Sequence, residues 1–231
     1  MEREEAAKGE LVAIAAAHNE AERVGETLDA LVAALPGVKL VVADDASTDG
    51  TQGVAMQHGA EVVRRGRSHG KGGNVTAAAE AALDALDPDA IVLLCDADLG
   101  ESAGELVPLV EAVERGECDL AVAAFARREG GGFGIALGYA HDRIEELSGF
   151  DATAPISGQR AMRAATLREL IPFADGFGME LGMTVDAVRS GKRVKEIELP
   201  LSHRVTGRTL GGFLHRGRQL LDFRRAVRAR R

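Results

Sequence analysis

Two aspartates separated by one alanine end an apolar run in the segment AIVLLCDADLG at residues 90–100. Side chains at positions i and i+2 of an extended segment point the same way, so Asp96 and Asp98 can both reach one cation. Hard oxygen ligands with few protein donors suit Mg²⁺ or Mn²⁺ that a substrate's phosphates also hold. In isolation the same pair is typical of a surface turn, so the interpretation depends on what lies around it.

Three further polar segments follow predicted strands in the same way. They cover residues 18–20 (HNE), 44–51 (DDASTDGT) and 67–74 (RSHGKGGN), each directly after an apolar run. Parallel strands bring the loops at their carboxyl ends to one edge of a sheet, where α/β proteins bind ligands. This convergence favours a divalent-cation site at Asp96 and Asp98 over a surface turn.

The chemistry of these segments suits a nucleotide and its phosphates. A carboxylate in DDASTDGT can accept a hydrogen bond from a nucleobase N–H, although the same residues also make turns and cap a helix at Thr51. In GKGGN, glycines permit close backbone approach, and Lys71 stands at a helix N-terminus that favours anions. The spacing is not that of a Walker loop, and a purely structural glycine turn is the alternative.

Apolar runs alternate with amphipathic ones along the chain. This alternation predicts an α/β fold with a mostly parallel sheet covered on both faces, and no linker composition divides it. The predicted strands cover 11–17, 38–43, 60–64, 90–95, 119–125 and 193–200. The predicted helices cover 20–35, a short segment from Thr51, about 71–86, 102–116, one within 127–163, 161–170, 179–190 and the C-terminal segment.

The composition indicates the cellular compartment and the size of the hydrophobic core. The 231 residues, 45% of them hydrophobic, suffice for one sizeable core. Cys95 and Cys118 fall in strand-like segments and are expected to be buried thiols in a reducing cytoplasm. No apolar run approaches the roughly 20 residues that span a bilayer, and the N-terminus lacks a secretory apolar segment. We therefore expect a cytoplasmic location.

Charge is distributed unevenly. The net charge is −8, but residues 203–231 carry nine arginines and one aspartate, which leaves −16 on the preceding 202 residues. An acidic body disfavours nucleic acid and permits a local anionic partner, such as a phosphate, a diphosphate or a lipid headgroup. The segment 210–231 is either a solvated basic helix or an amphipathic helix on an anionic membrane at the inner face of the plasma membrane. Its arginines and candidate apolar contacts are Arg216, Arg218, Arg224, Arg225, Leu214, Leu220, Leu221 and Phe223; that apolar face can equally pack on the core.

The four segments occur in the order and rough spacing of a known family. AAHNEAERVGETLDAL, VVADDASTDGT, GKGGNV and LLCDADLG resemble the family-2 glycosyltransferases, which have a GT-A fold with a Rossmann-like, mostly parallel sheet flanked by helices. The second half is similar to the polyprenyl-phosphate (dolichol-phosphate mannose synthase-like) sugar transferases through ISGQRAMR (156–163) and GFGMELGMTVDAVRSGKRVKEIELPLSHR (176–204). Gln159 stands where that family usually has an aromatic residue.

The resemblance implies one domain with two halves and a tail. Residues 11–125 would bind the nucleotide sugar, 126–209 the acceptor, and 210–231 would form the basic amphipathic helix. It also implies roles at matching positions, for the base of a UDP- or GDP-sugar, its diphosphate, the metal and the acceptor phosphate. Asp45, with Asp44, Asn19 and Glu20, would form the base pocket, and Lys71 would contact the diphosphate. Asp96 and Asp98 would hold the metal, and Arg160 and Arg204 would lie near the acceptor and leaving-group phosphates.

The implied reaction is an inverting, metal-dependent sugar transfer. Many relatives that modify hydroxyl groups carry Glu-Asp where this chain has Glu180-Leu181, and a phosphate acceptor is already ionised and needs no base. A phosphate acceptor is therefore expected, and the resemblance implies that it is a polyprenyl phosphate. Glu180 would orient neighbouring groups or only stabilise a helix N-terminus. The alternatives are a soluble transferase acting on a small phosphorylated acceptor such as 3-phosphoglycerate, and a non-catalytic nucleotide-sugar-binding protein.

Overall fold

The computed structural model describes residues 9–125, 134–201 and 220–231. Its strands are β1 (Leu11–Ala17), β2 (Lys39–Asp44), β3 (Glu61–Arg64), β4 (Ile91–Asp96), β5 (Leu120–Phe125), β6 (Arg160–Arg163) and β7 (Val194–Leu199). Its α-helices are α1 (Val24–Ala34), α2 (Thr51–Gln57), α3 (Gly70–Leu83), α4 (Val107–Glu114), α5 (Gly134–Ser148), α6 (Ala164–Leu170), α7 (Met179–Arg189) and α8 (220–228). Two 3₁₀ helices cover Gly100–Leu106 and Gly176–Gly178.

Within the described residues the strands form one seven-stranded sheet in the order β3-β2-β1-β4-β6-β5-β7. β1 lies near the centre and pairs in parallel with β2 and β4, so that Ile14 is opposite Val41 and Leu94. Alternate residues of β1 point to different layers: Ile14 joins the core on one face and Ala13 the core on the other. Burial on both faces explains why these strands are continuous apolar runs rather than alternating ones. The α/β class and the mostly parallel sheet are confirmed.

β6 is antiparallel to both of its neighbours. Arg160 lies opposite Leu94 of β4 and Val122 of β5. The sequence interpretation of a helix over 161–170 is therefore wrong for residues 161–163, which belong to this strand, whereas α6 occupies the remainder. Four residues of strand run directly into a helix with no intervening glycine or proline. Such a short strand has no periodicity of its own to mark it.

Other boundaries shift by a few residues. The helix expected at about 71–86 runs from Gly70 to Leu83, and the helix expected at 102–116 starts as 3₁₀ turns before α4. Both cysteines are buried as expected. Cys95 lies in β4, but Cys118 precedes β5 instead of lying in a strand.

α8 packs its apolar face against the rest of the protein. Phe223 is fully buried, shares a core cluster with residues of α5 and α7, and its ring stacks on Tyr139 with centroids 6.5 Å apart. For Phe223, packing of the apolar face on the core is the correct interpretation, whereas Leu221 is 52% exposed. Leu214, Arg216 and Arg218 lie outside the described residues. In the described ranges, no helix is long and apolar enough to cross a bilayer.

Candidate active site

The four polar segments converge at one edge of the sheet, beyond the carboxyl ends of β1, β2 and β4. The Asp45 N–H donates to the Ala17 carbonyl and the Ala97 N–H donates to the Ala16 carbonyl, each with an N–O distance of 2.9 to 3.0 Å. Thr27 on α1 donates from Oγ1 to the Ala97 carbonyl at 2.9 Å. The convergence predicted from parallel strands is confirmed.

Asn19 and Glu20 join the first polar segment to the second. The Asn19 N–H donates to Ser47 Oγ at 2.8 Å, and the Thr48 N–H donates back to Asn19 Oδ1 at 2.9 Å. Asn19 has a φ of 58°, a left-handed conformation that asparagine tolerates better than most residues. The Glu20 N–H donates to Thr51 Oγ1 at 2.9 Å, at the start of α2. These bonds fix the two loops as a single wall.

Asp44 and Asp45 have different surroundings although they are adjacent. Asp44 is fully buried, and its Oδ1 accepts from the Ser47 N–H at 3.0 Å, which closes its own turn. Asp45 accepts from Ser68 Oγ at 2.6 Å and from the backbone N–H groups of His69 and Gly70 at 2.8 and 3.1 Å. Asp45 therefore ties the second polar segment to the third. It also retains a small exposed surface that Asp44 lacks.

The start of α3 approaches another backbone too closely for any side chain at one position. A Cβ on Gly72 would overlap the carbonyl oxygen of Ala174, just before the 3₁₀ helix at Gly176–Gly178. Glycine is thus required at Gly72 by contact within the protein. For Gly72, the purely structural interpretation of the GKGGN segment is therefore correct.

Lys71 lies between two carboxylates from different elements. Its Nζ is 2.5 Å from Asp96 Oδ1 at the end of β4 and 2.8 Å from Glu180 Oε1 in the first turn of α7. Burial alone would lower the pKa of Lys71, but the charges and hydrogen bonds of Asp96 and Glu180 outweigh it and raise the pKa above its ordinary value. Lys71 is therefore a permanent cation at neutral pH.

Asp96 is held from a second side as well. The Gln159 side-chain amide donates from Nε2 to Asp96 Oδ2 at 2.7 Å, so a separate donor contacts each oxygen. A Cβ on Gly158 would collide with Lys71 Nζ and come within 3.1 Å of both Asp96 oxygens. The absence of a side chain at Gly158 is what leaves room for the Lys71–Asp96 pair. The Asp96 side chain remains 33% exposed.

Asp98 is not on the same strand face as Asp96. β4 ends at Asp96, and Asp98 lies half-buried in the turn that follows, where its backbone carbonyl accepts from Arg23 Nη1 at 3.0 Å. The expectation that both belong to one extended segment is therefore wrong, because the chain turns at Ala97. The two carboxylates remain two residues apart in the chain at the same edge of the sheet.

The donor set fits a shared divalent cation rather than a fully enclosed one. Among the described residues, no group of three or more His, Cys, Asp and Glu side chains is arranged to hold a metal. Mg²⁺ and Mn²⁺ sites that use one or two carboxylates take their remaining ligands from water and substrate phosphates. Asp96 and Asp98 at an open edge are oxygen donors of this kind.

Arg160 does not reach the surface of the site. It is fully buried, with Nε donating to the Ser157 carbonyl at 2.9 Å and Nη1 donating to Thr184 Oγ1 at 3.0 Å. Burial lowers the pKa of the Arg160 guanidinium to about 10, and the charges of Glu180 and Glu196 oppose this shift in part. The structure thus brings Glu180, Lys71 and Asp96 together and keeps Arg160 beneath them. Arg204 lies outside the described residues.

Three residues that hold the site together were not predicted as contacts. Gln159 contacts Asp96, Ser68 contacts Asp45, and Arg23 contacts the Asp98 backbone. Each partner lies far away in the sequence, so spacing carries no signal for the pair. The one sequence indication was at Gln159, an amide where the resembling family usually has an aromatic residue.

Known proteins share both the sequence pattern and the fold. The profile of the family described as glycosyl transferase family 2 matches residues 12–177. The undecaprenyl-phosphate mannosyltransferase of Micrococcus luteus is 32% identical over 208 residues, with 82% of each chain covered. Glucosyl-3-phosphoglycerate synthase from Mycobacterium tuberculosis, solved with phosphoglyceric acid, is 26% identical, with a TM-score of 0.77 over 97% of this chain and 80% of that one. The same enzyme, solved with Mn²⁺, UDP and glucosyl-3-phosphoglycerate, is 26% identical, with a TM-score of 0.74 over 93% and 78%.

Proposed function

The chain belongs to glycosyl transferase family 2, and on that premise we propose that it moves a sugar from a UDP- or GDP-sugar to a polyprenyl phosphate with inversion at the sugar C1. The observation that carries the proposal is the meeting of Asp45, Lys71 and Asp96 at one sheet edge. The likeness to the undecaprenyl-phosphate mannosyltransferase of M. luteus supports the lipid phosphate as acceptor. In this proposal residues 11–125 bind the donor and residues 126–209 the acceptor.

The donor base lies at the wall formed by the first two loops. Asp45 accepts from the base, and Asn19 and Glu20 shape the pocket through the bonds that lock their loops together. Asp44 contributes by closing the turn that presents Asp45, since it is fully buried. A preformed wall of this kind lowers the ordering cost of binding.

Asp96 and Asp98 would hold Mg²⁺ or Mn²⁺ together with the donor diphosphate. When bound, such an ion neutralises charge that develops on the leaving diphosphate. Lys71 adds a permanent positive charge next to Asp96, at the N-terminus of α3, where backbone N–H groups also favour anions. These groups are fixed before the reaction begins, so no reorganisation is needed as the sugar C1–O bond breaks.

On the acceptor side, Glu180 is already engaged within the protein. Glu180 is buried, and its carboxylate is paired with Lys71. Leu181, which follows it, is fully buried and apolar. A phosphate acceptor is already ionised near neutral pH, so this arrangement supports a phosphate over a hydroxyl. Arg160 contributes positive charge from beneath the site, and Arg204 is proposed to contact the acceptor phosphate.

The outer face of α8 fits an anionic membrane surface. Phe223, Ala226 and Val227 face inwards, which leaves an exposed stripe on the opposite side of the helix. That stripe consists of Leu221, Arg224, Arg225 and Arg228. A cluster of arginines beside an apolar residue attracts anionic lipids at about 1 kcal/mol per charge. We propose that α8 rests on the inner face of the plasma membrane, where a polyprenyl phosphate would be reached.

Nucleotide binding and sugar transfer test the proposal in two steps. The melting temperature is measured with UDP and GDP, with and without Mn²⁺, for the wild type, Asp98→Ala and a surface control, Asp84→Ala. We expect a Mn²⁺-dependent rise for the wild type and Asp84→Ala, and its loss in Asp98→Ala, since a ligand that binds only the folded state stabilises it. Transfer from the donor that binds is then assayed with undecaprenyl phosphate and with 3-phosphoglycerate.

Each outcome has a defined meaning. Transfer to undecaprenyl phosphate that Asp98→Ala abolishes supports the proposal. Transfer to 3-phosphoglycerate alone overturns the lipid acceptor, and metal-dependent nucleotide binding without transfer to any acceptor overturns catalysis. An undiminished Mn²⁺ response in Asp98→Ala overturns the metal assignment.

A further inference from the structure

We infer that Gln159 is a positioning residue that fixes the Asp96 carboxylate for the metal–diphosphate. This inference rests on the proposed function, because it assumes that Asp96 meets the cation and the donor there. A glutamine side chain is not a preferred metal ligand. Its influence is expected to act entirely through Asp96.

Gln159 is buried and has both ends of its amide occupied. It is 2% exposed; its Nε2 donates to Asp96 Oδ2 at 2.7 Å, and its Oε1 accepts from Ser157 Oγ at 3.1 Å. An amide carries two donor hydrogens on nitrogen and acceptor positions on oxygen, and these two bonds use one end each. The Ser157 hydroxyl therefore fixes the orientation of the amide, and the amide in turn fixes Asp96.

The backbone of Gln159 is anchored independently of its side chain. The Ala123 N–H of β5 donates to the Gln159 carbonyl at 3.0 Å, and Arg160, the next residue, begins β6 between β4 and β5. Because β6 is antiparallel to β4, the chain enters β6 at the edge where Asp96 stands. The amide is thus presented to Asp96 by a strand that is hydrogen-bonded on both sides.

The two donors on Asp96 differ in a way that matters for binding a cation. Lys71 contacts Oδ1 with a full positive charge, whereas Gln159 contacts Oδ2 with a neutral amide. A neutral donor orients the carboxylate without cancelling its charge, and each carboxylate oxygen keeps a further lone pair. Outer partners of this kind hold a ligand in the orientation the metal requires, and their removal typically weakens metal affinity or activity about 10- to 100-fold.

Gln159→Met tests the inference, because methionine has a similar length and no amide. The apparent Kd for Mn²⁺ is measured from the free-Mn²⁺ electron paramagnetic resonance signal in the presence of whichever of UDP and GDP binds the wild type. The kcat and the Mn²⁺ concentration for half-maximal activity are measured alongside. We expect Mn²⁺ affinity to fall about 10- to 100-fold, with kcat largely restored at saturating Mn²⁺. Gln57→Met, an exposed glutamine on α2, serves as the matched control and should bind Mn²⁺ as the wild type does.

Two further variants separate positioning from folding. Gln159→Asn keeps a polar amide but is one methylene too short to reach Asp96, and it should show the same loss; it decides the matter if the methionine variant does not fold. Ser157→Ala leaves the Asp96 contact but frees the amide, so a smaller loss of Mn²⁺ affinity is expected. Wild-type Mn²⁺ affinity in a folded Gln159 variant overturns the inference. Failure of the wild type itself to bind Mn²⁺ with either UDP or GDP overturns the proposed function instead.

Discussion

Lys71 and Glu180 form an ion pair, with 2.8 Å between Nζ and Oε1, although one lies on α3 and the other on α7. The same ammonium group contacts Asp96 at the end of β4. Three elements that are distant in the chain therefore share one positive charge at the candidate site. We expect both stability and the proposed sugar transfer to depend on that charge.

Lys71→Met should lower the free energy of unfolding by about 3 kcal/mol. Removing one partner of a buried ion pair leaves the other charge uncompensated, at a cost of about 3–5 kcal/mol, and the partial exposure of Asp96 places the effect at the lower end. The measurement is urea denaturation of Lys71→Met, Glu180→Gln and the double variant. The double variant should lose less than the sum of the single losses, because Glu180→Gln removes one of the stranded charges. Strict additivity would mean that Lys71 and Glu180 do not interact energetically.

Gly72→Ala should destabilise the protein, whereas Gly53→Ala should stabilise it slightly. A methyl group at Gly72 would meet the Ala174 carbonyl, and such overpacking costs about 1–3 kcal/mol. A Cβ at Gly53, on the exposed side of α2, has no neighbour within 4 Å, and alanine in a helix is better than glycine by about 0.5–1 kcal/mol. Thermal and urea unfolding of the two variants show whether each change raises or lowers stability. Equal effects of the two changes would contradict the close approach of α3 to the Ala174 backbone.

Phe223→Ala should cost about 3–5 kcal/mol of stability, as expected for a fully buried phenylalanine.

The double change Arg224→Gln with Arg228→Gln should leave stability unchanged and weaken binding to phosphatidylglycerol vesicles about 30-fold, at about 1 kcal/mol per arginine. Arg115→Gln with Arg193→Gln, two exposed arginines outside α8, is the matched control for vesicle binding. If Phe223→Ala abolished vesicle binding in a fully folded protein, α8 would be using its inner face on lipid.

Cys95 should resist thiol reagents in the folded protein. Burial raises the pKa of the Cys95 thiol to about 12, and the neighbouring charge of Asp96 adds to this shift. Ellman's reagent at pH 8 should therefore find no reactive thiol at Cys95 until the protein is unfolded. The raised pKa also means that Cys95 contributes stability below the unfolded pKa of about 9, which is lost as pH rises towards 12. Cys95→Ala should accordingly flatten the fall in unfolding free energy between these pH values.

Sequence patterns predicted the strands and loops that carry the site, because buried parallel strands are apolar throughout and their ends are polar. β1, β2 and β4 and the segments that follow them are where the pattern places them. β6 was not predicted, since four residues are too few to show a period and the helix-forming residues of α6 follow at once. The prediction that Asp98 continues the extended segment of Asp96 failed for a similar reason, because an apolar run does not indicate at which residue its strand ends.

The contacts that the site residues make were harder to predict from the sequence than the site residues themselves. Lys71 was expected at the diphosphate, but nothing in its surroundings in the sequence indicates Glu180 as its partner. Arg160 was expected near phosphates, and only the packing of β6 between two strands shows that it is buried. Tertiary contacts of this kind depend on the register of distant elements, which no local pattern specifies.

The direction of β6 has a consequence for engineering. Since the chain enters β6 beside the end of β4, a graft of the stretch ahead of it, residues 149–156, would keep Ser157 and Gln159 in place next to Asp96. Glu196 on β7 anchors the middle of this stretch through the backbone N–H groups of Thr153 and Ala154, so a graft that keeps those contacts has a fixed base. On the proposed function, exchanging this segment is expected to change which acceptor is used and to leave the donor preference as it is.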